Sequence, residues 1–477
     1  MEYAQNWFAT LALLAWPIVA VWLYSTRPVN PATIWTILGA YLLLPSGAGI
    51  KIAAGIPQLD KISIPALAAL AGSFYFSRRP LRFWNGFGLT EVLLLMFLIG
   101  PLVTSELNTD PVISGSVVLP GVGVYDGLSA LASQLLFLLP FFLGRQLFRN
   151  SSDIEDIFRA LVIAGLIYSL PMLFESRMSP QLHRWVYGYS PSFIFMMRYG
   201  GWRPSVFLQN GLIAAFFMMT TTVAAAAFWR TRTIVQKLPP APITAYLSLV
   251  LVLCRSFANL MYGVALVPLV RLTRPRLQLR IATVLVTFAV AYPMLRAIDL
   301  VPTKFLVAAA ASLSETRADS LDFRFVHEKQ LLDRASQRLV FGWGRFGRSR
   351  IYDIYGKDVS VTDGGWIITM GQFGIFGYLA EFGLLALPVF RAASALKFVE
   401  TGRAAVFFGA LALIIAITMI DLLPNDSLSP WTWLLAGALL GRAEGLQKAR
   451  QIQRNNQRAV APKSAESALA SGNSFRT

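Results

Sequence analysis

The chain has 477 residues, 55% of them hydrophobic and only 14% charged, with a mean hydropathy of +0.56. Soluble domains carry about 25% charged residues, so a soluble globular protein is excluded and a polytopic membrane protein is expected. The net charge of +17 would suggest nucleic acid in a soluble chain. Here it reads as the positive-inside bias of a membrane protein, and no nucleic-acid partner is expected. One cysteine, Cys254, and two histidines, His183 and His327, leave no internal disulfide and no expected metal site. No cofactor is expected either.

In chain order, apolar runs long enough to be spans fall at 7–24, 32–50, 62–77, 86–104, 127–148, 157–175, 205–229, 243–254, 257–271, 280–298, 366–390, 404–421 and 430–441. The first run reads as a span and not a signal peptide, because no basic segment precedes it. The expected fold is therefore all-α, a polytopic membrane helix bundle of about 12–13 transmembrane helices. It forms one unit over residues 1–453, including one large periplasmic loop, 299–365, that contains an amphipathic helix. Residues 454–477 read as a disordered cytoplasmic tail.

Orientation follows from basic residues in short loops. Arg78, Arg79 and Arg82, Arg145 and Arg149, Arg230, Arg232 and Lys237, Arg271 to Arg280, Arg391 to Arg403, and the tail all fall on one side if the spans alternate. That side is expected to be the cytoplasm. The opposite loops are 51–61, 105–126, 176–204, 255–256, 299–365 and 422–429. The longest carries ten Lys and Arg against nine Asp and Glu.

Arginine on the external side runs against the topology bias, and a guanidinium fork suits phosphate. Most such arginines are ordinary interfacial or solvated side chains. Arg203 and Arg255 differ, since they sit at span ends in breaks of the apolar pattern. Leu321–Phe341 fits a helix with Leu321, Phe325, Leu332, Ala335 and Leu339 on one face. Arg324, His327, Arg334 and Arg338 lie in an arc beside it. Gly342-Trp343-Gly344-Arg345-Phe346-Gly347 matches a dinucleotide-binding pattern, but it follows a helix and lacks a βαβ context, so a flexible turn is expected. Asp363, just before the Trp366 span, has the chemistry of a general base or of a helix cap; the residues alone favour the cap.

Three stretches resemble the O-antigen ligase/polymerase superfamily of Wzy-type polysaccharide polymerases and their ligase relatives. They are Arg203-Pro-Ser-Val-Phe-Leu-Gln-Asn210-Gly211, Cys254-Arg255-Ser256-Phe257-Ala258, and the run from Arg324 through FGWGRFG to DGGWIITMGQFGIFGYLAEFGLL. The resemblance covers roughly residues 200–385. Where the family often has His-Asn before the last of these spans, this chain has Asp363-Gly364.

The resemblance implies a metal-independent glycosyltransferase of the bacterial inner membrane, with its active site facing the periplasm. It would join polyprenyl-diphosphate-linked repeat units during exopolysaccharide, capsule or O-antigen synthesis. Asp363, Arg203 and Arg255 would be catalytic, and Arg198, Arg324, His327, Arg334, Arg338, Arg345, Asn210 and Trp366 would bind diphosphate or glycan. Membrane lipid, a chain-length regulator and other polysaccharide assembly proteins would be partners. Ligation of finished glycan to a lipid or protein acceptor is the alternative within the family. A lipid-linked oligosaccharide flippase or other secondary transporter is the alternative of another class. Few ionisable residues inside spans, chiefly Glu91 and Glu381, and no internal repeat weigh against that one.

Overall fold

The computed structural model of the chain describes residues 5–53, 55–77, 80–81, 86–189, 196–198, 200–312 and 314–460. Thirteen helices among these residues run back and forth between two ends. They are α1 (Trp7–Thr26), α2 (Val29–Leu43), α3 (Ser63–Phe76), α4 (Leu89–Glu106), α5 (Val124–Leu147), α6 (Ser151–Met178), α8 (Gly211–Thr231), α9 (Pro240–Leu253), α10 (Phe257–Leu272), α11 (Pro275–Ala297), α14 (Gly365–Ala395), α15 (Gly402–Asp421) and α16 (Pro430–Val460). Eight of them are long and apolar enough to cross a membrane. Helices α2, α3, α9 and α10 are shorter and equally apolar. The protein is an all-α polytopic membrane helix bundle.

Helices α8 and α15 are the most enclosed, buried along nearly their whole length. The apolar first half of α16 is buried too, against α5. There the backbones touch: a methyl group added at Gly437 would lie 2.0 Å from the carbonyl oxygen of Phe141, and one at Gly144 would lie 2.4 Å from that of Leu434. Small residues at such a seam let two helices pack where water does not drive them together.

One end carries the long connections, and we call it the loop face. It holds α7 (Leu182–Tyr187), α12 (Thr303–Ala311), α13 (Glu315–Ser336) and three short hairpins, β1–β2 (Gly49–Ile50, Leu59–Asp60), β3–β4 (Val112–Ser114, Val117–Leu119) and β5–β6 (Met197–Arg198, Gly201–Trp202). The basic residues between the other helix ends gather at the opposite end, where several are neutralised. Arg145 bonds Glu91 at 2.9 Å and Glu444 at 2.8 Å, and Arg403 bonds Glu155. Arg78, Arg79 and Arg82 lie outside the described residues.

The structure departs from the sequence reading in three places. The expected tail from 454 begins as helix, because α16 continues to Val460; residues 461–477 lie outside the described residues. The amphipathic helix starts earlier and stops at Ser336, so Arg338 and Leu339 lie beyond it. The run from 366 is not one continuous helix but is broken at Gly374, with φ 64° and ψ −165°.

Candidate functional site

The break in α14 is filled by the glycine-rich turn after α13. Trp343 N–H donates to the Gly371 carbonyl and Gly344 N–H to that of Gln372, both at 2.9 Å. In return, Ile375 N–H donates to Leu339 at 2.8 Å and Phe376 N–H to Val340 at 3.1 Å. The turn thus takes over backbone bonds that an unbroken helix would make for itself, as non-helical backbone within a bundle requires. A side chain at Gly342 would meet the Gln372 carbonyl at 2.5 Å. Gly342 is there for close approach to α14, and the turn is pinned in place; the expected flexible turn is not what forms.

Breaking α14 turns Gln372 and Phe373 toward a cleft at the loop face. It consists of an inner cavity of about 570 Å³ and an outer one of about 1130 Å³. Gln58, Asp60, Phe137, Gln372, Phe373 and Asp426 line both, so the two meet at a neck. Tyr41, Lys61, Gln209, Thr369 and Glu381 line the inner cavity, and Lys51, Asp126, Gln134 and Arg345 the outer one. The lining mixes aromatic rings with planar carboxylates and amides, the groups that bond paired hydroxyls and face the C–H side of a sugar ring. The cleft exceeds the usual volume of a drug-sized site.

Several side chains in and around the cleft are fixed. Lys61 Nζ donates to Ser46 Oγ at 3.0 Å and to the Phe207 carbonyl at 2.8 Å. Burial without a carboxylate partner lowers its ammonium to about 7. Asp60 accepts from the N–H groups of Ile62 and Ser63, both at 2.9 Å, and so caps the start of α3. Glu381 accepts from Thr369 Oγ1 at 3.1 Å across the break. Among the described residues Asp426 has no hydrogen bond or ion pair, and burial raises its carboxyl above its ordinary value.

The predicted site residues separate into groups. Arg203 and Arg255 do come together, from loops 52 residues apart: Arg203 Nη2 donates to the Arg255 carbonyl at 3.2 Å. Arg255, itself in the left-handed region at φ 53°, reaches the Arg198 carbonyl with Nη1 at 3.2 Å. Behind them, buried Glu175 accepts from the backbone of Ser205 at 2.8 Å, Val206 at 2.7 Å and Leu182 at 3.0 Å, holding the segment that carries Arg203. Neither arginine lines the cleft.

Arg324 pairs with Asp363 at 3.3 Å, and both line a separate, mostly apolar cavity of about 270 Å³ beside Tyr262 and Tyr292. Asp363 does not cap α14. The first N–H groups of that helix are met instead by carbonyls, Gly365 N–H by Asn425 at 3.1 Å and Trp366 N–H by Leu422 at 3.4 Å.

Five predicted binding residues have structural settings. Asn210 caps α8, its Oδ1 accepting from Leu212 and Ile213. Trp366 is fully buried against Tyr292, out of reach of any ligand. Arg334 and Arg338 both stack on the Trp343 ring, at 3.4 and 4.5 Å, and Arg338 also bonds Asp110 at 2.7 Å. That guanidinium holds the Asp110 carboxyl below its ordinary value. His327 packs on Phe323 at 4.3 Å and lines none of the three cavities described here. Only Arg345 of the predicted set lines the cleft.

Sequence reasoning passed over Lys61, Gln372 and Asp426. Lys61 stood at a span boundary and Asp426 in a loop of eight residues, 422–429, with nothing to mark either. Glu381 was visible as an ionisable residue inside a span. No protein-family model matches the chain, and no curated protein matches it.

Proposed function

We propose that this protein is a polysaccharide polymerase of the bacterial inner membrane, joining polyprenyl-diphosphate-linked oligosaccharide units at its loop face. The observation that carries the reading is the cleft: two joined cavities of oligosaccharide size at the loop face, with aromatic, amide and carboxylate side chains in their lining. The gathering of Lys and Arg at the opposite end supports a cytoplasmic assignment for that end, which makes the loop face periplasmic.

In the proposed reaction an acceptor sugar hydroxyl attacks the anomeric carbon of the lipid-linked glycan. The bond from that carbon to the diphosphate oxygen breaks, and the diphosphate leaves with the electron pair. Arg345, which lines the outer cavity, is the guanidinium within the cleft suited to offset the growing charge on the leaving group, and Arg203 and Arg255, which converge outside the cleft, are suited to hold the diphosphate at the loop face.

One observation favours a second reading, a secondary transporter. A broken helix with a carboxyl near its middle, Glu381 on α14, is a common feature of transporter binding sites. Alternating access needs a route to the opposite end, whereas among the described residues none of that end lines the cleft.

A deletion strain tests the proposal. Short lipid-linked repeats should accumulate while long glycan disappears. An unchanged length distribution of extracted polyprenyl-linked glycan would refute it.

A further inference from the structure

We propose that Asp426 is the general base of the transfer, accepting the proton of the acceptor hydroxyl at the neck of the cleft; this rests on the polymerase reading above. The neck is where a unit held in the inner cavity would meet one held in the outer cavity, and it carries two carboxylates, Asp60 and Asp426. Asp60 is held at the start of α3 by three bonds to its Oδ1, from the backbone and hydroxyl of Ser63 and the backbone of Ile62, which leaves it a capping carboxylate. Glu381 lies in the inner cavity only and is bonded to Thr369. Asp363, named above among the expected catalytic residues, is paired with Arg324 outside the cleft.

Asp426 is left uncommitted while its two neighbours are tied down. Asn425 Nδ2 donates to Asp421 Oδ1 at 3.0 Å, and Ser427 Oγ donates to Asp421 Oδ2 at 2.8 Å. The Asn425 carbonyl also accepts from Gly365 N–H at 3.1 Å. The carboxylate is therefore presented from a fixed loop, as a proton acceptor must be. The raised carboxyl is a stronger proton acceptor than one of ordinary pKa.

The step balances. The acceptor oxygen forms its bond to the anomeric carbon and gives its proton to Asp426. The bond to the diphosphate oxygen breaks, and its electron pair leaves on the diphosphate. Solvent in the outer cavity then takes the proton from Asp426.

The test uses the full-length protein in detergent, with polyprenyl-linked repeat units extracted from the deletion strain. Asp426→Asn should bind these units as the wild type does and elongate them at least about a hundredfold more slowly. Asp426→Ser should behave the same way, and Asp426→Glu should keep part of the activity. Because the side chain makes no bond, none of these variants should lower the thermal midpoint. Wild-type ladders from Asp426→Asn, or loss of repeat-unit binding in it, overturn the assignment of the base. If the wild-type protein itself does not elongate the extracted units, the polymerase reading fails instead.

Discussion

Replacing Gly374 by alanine tests whether the break in α14 organises the cleft. The residue sits at φ 64° and ψ −165°, a region essentially closed to side chains, at a cost of about 1–3 kcal/mol. The new methyl group would also lie 2.4 Å from the Val340 carbonyl oxygen and 2.6 Å from that of Leu339. Those oxygens accept from Phe376 and Ile375, so relieving the overlap pulls both bonds apart, at about 1 kcal/mol each. Together the loss should be about 3–5 kcal/mol, with Gln372 and Phe373 displaced from the neck. The assay is thermal unfolding of the detergent-solubilised protein followed by size-exclusion chromatography, alongside glycan length in cells. Gly402→Ala is the control: its added methyl meets nothing within 4 Å, and its effect should stay within about 0.5 kcal/mol. A Gly374→Ala protein with the wild-type midpoint and a normal glycan ladder would refute the reasoning.

Two further outcomes follow. Arg203→Lys keeps the charge but loses the bidentate fork, so polymer formation should fall about a hundredfold at matched expression, equivalent to about 2–4 kcal/mol. Wild-type ladders from Arg203→Ala and Arg255→Ala together would remove this pair from the site. His183, buried in α7, donates from Nδ1 to the Tyr189 carbonyl at 2.7 Å and accepts from Ser46 N–H with Nε2 at 3.2 Å, which fixes a neutral ring. Burial lowers its pKa to about 4 from about 6.5, so the unfolded chain binds the extra proton between those values. Stability should therefore fall as pH drops from about 6.5 to about 4, and His183→Gln should flatten that slope. Parallel pH profiles of the midpoint in the two proteins would contradict it.

The bundle was legible in the sequence because a membrane demands long apolar runs whatever they pack against, and because charge at loop ends follows topology rather than tertiary contacts. Thirteen apolar runs became thirteen helices, and the described basic loops gathered at one end. The convergence of Arg203 with Arg255 could be anticipated, since each broke an apolar pattern at the same side of the bundle. The cleft could not be, because its lining comes from single residues on distant elements: Asp60 and Lys61 before α3, Gln372 at the break of α14, Asp426 before α16. None has a local pattern. The same glycines that read as a flexible turn serve a backbone 30 residues further on, where Gly342 meets Gln372. Likewise Trp366, Arg334, Arg338 and Asn210 carry the residue types of a binding site. Only packing decides that the first is enclosed, that the next two stack on Trp343, and that the last closes the end of a helix. Periodicity and charge act along the chain and are written in it, whereas which side chain is left uncommitted at a cavity depends on what every neighbouring group has already bonded.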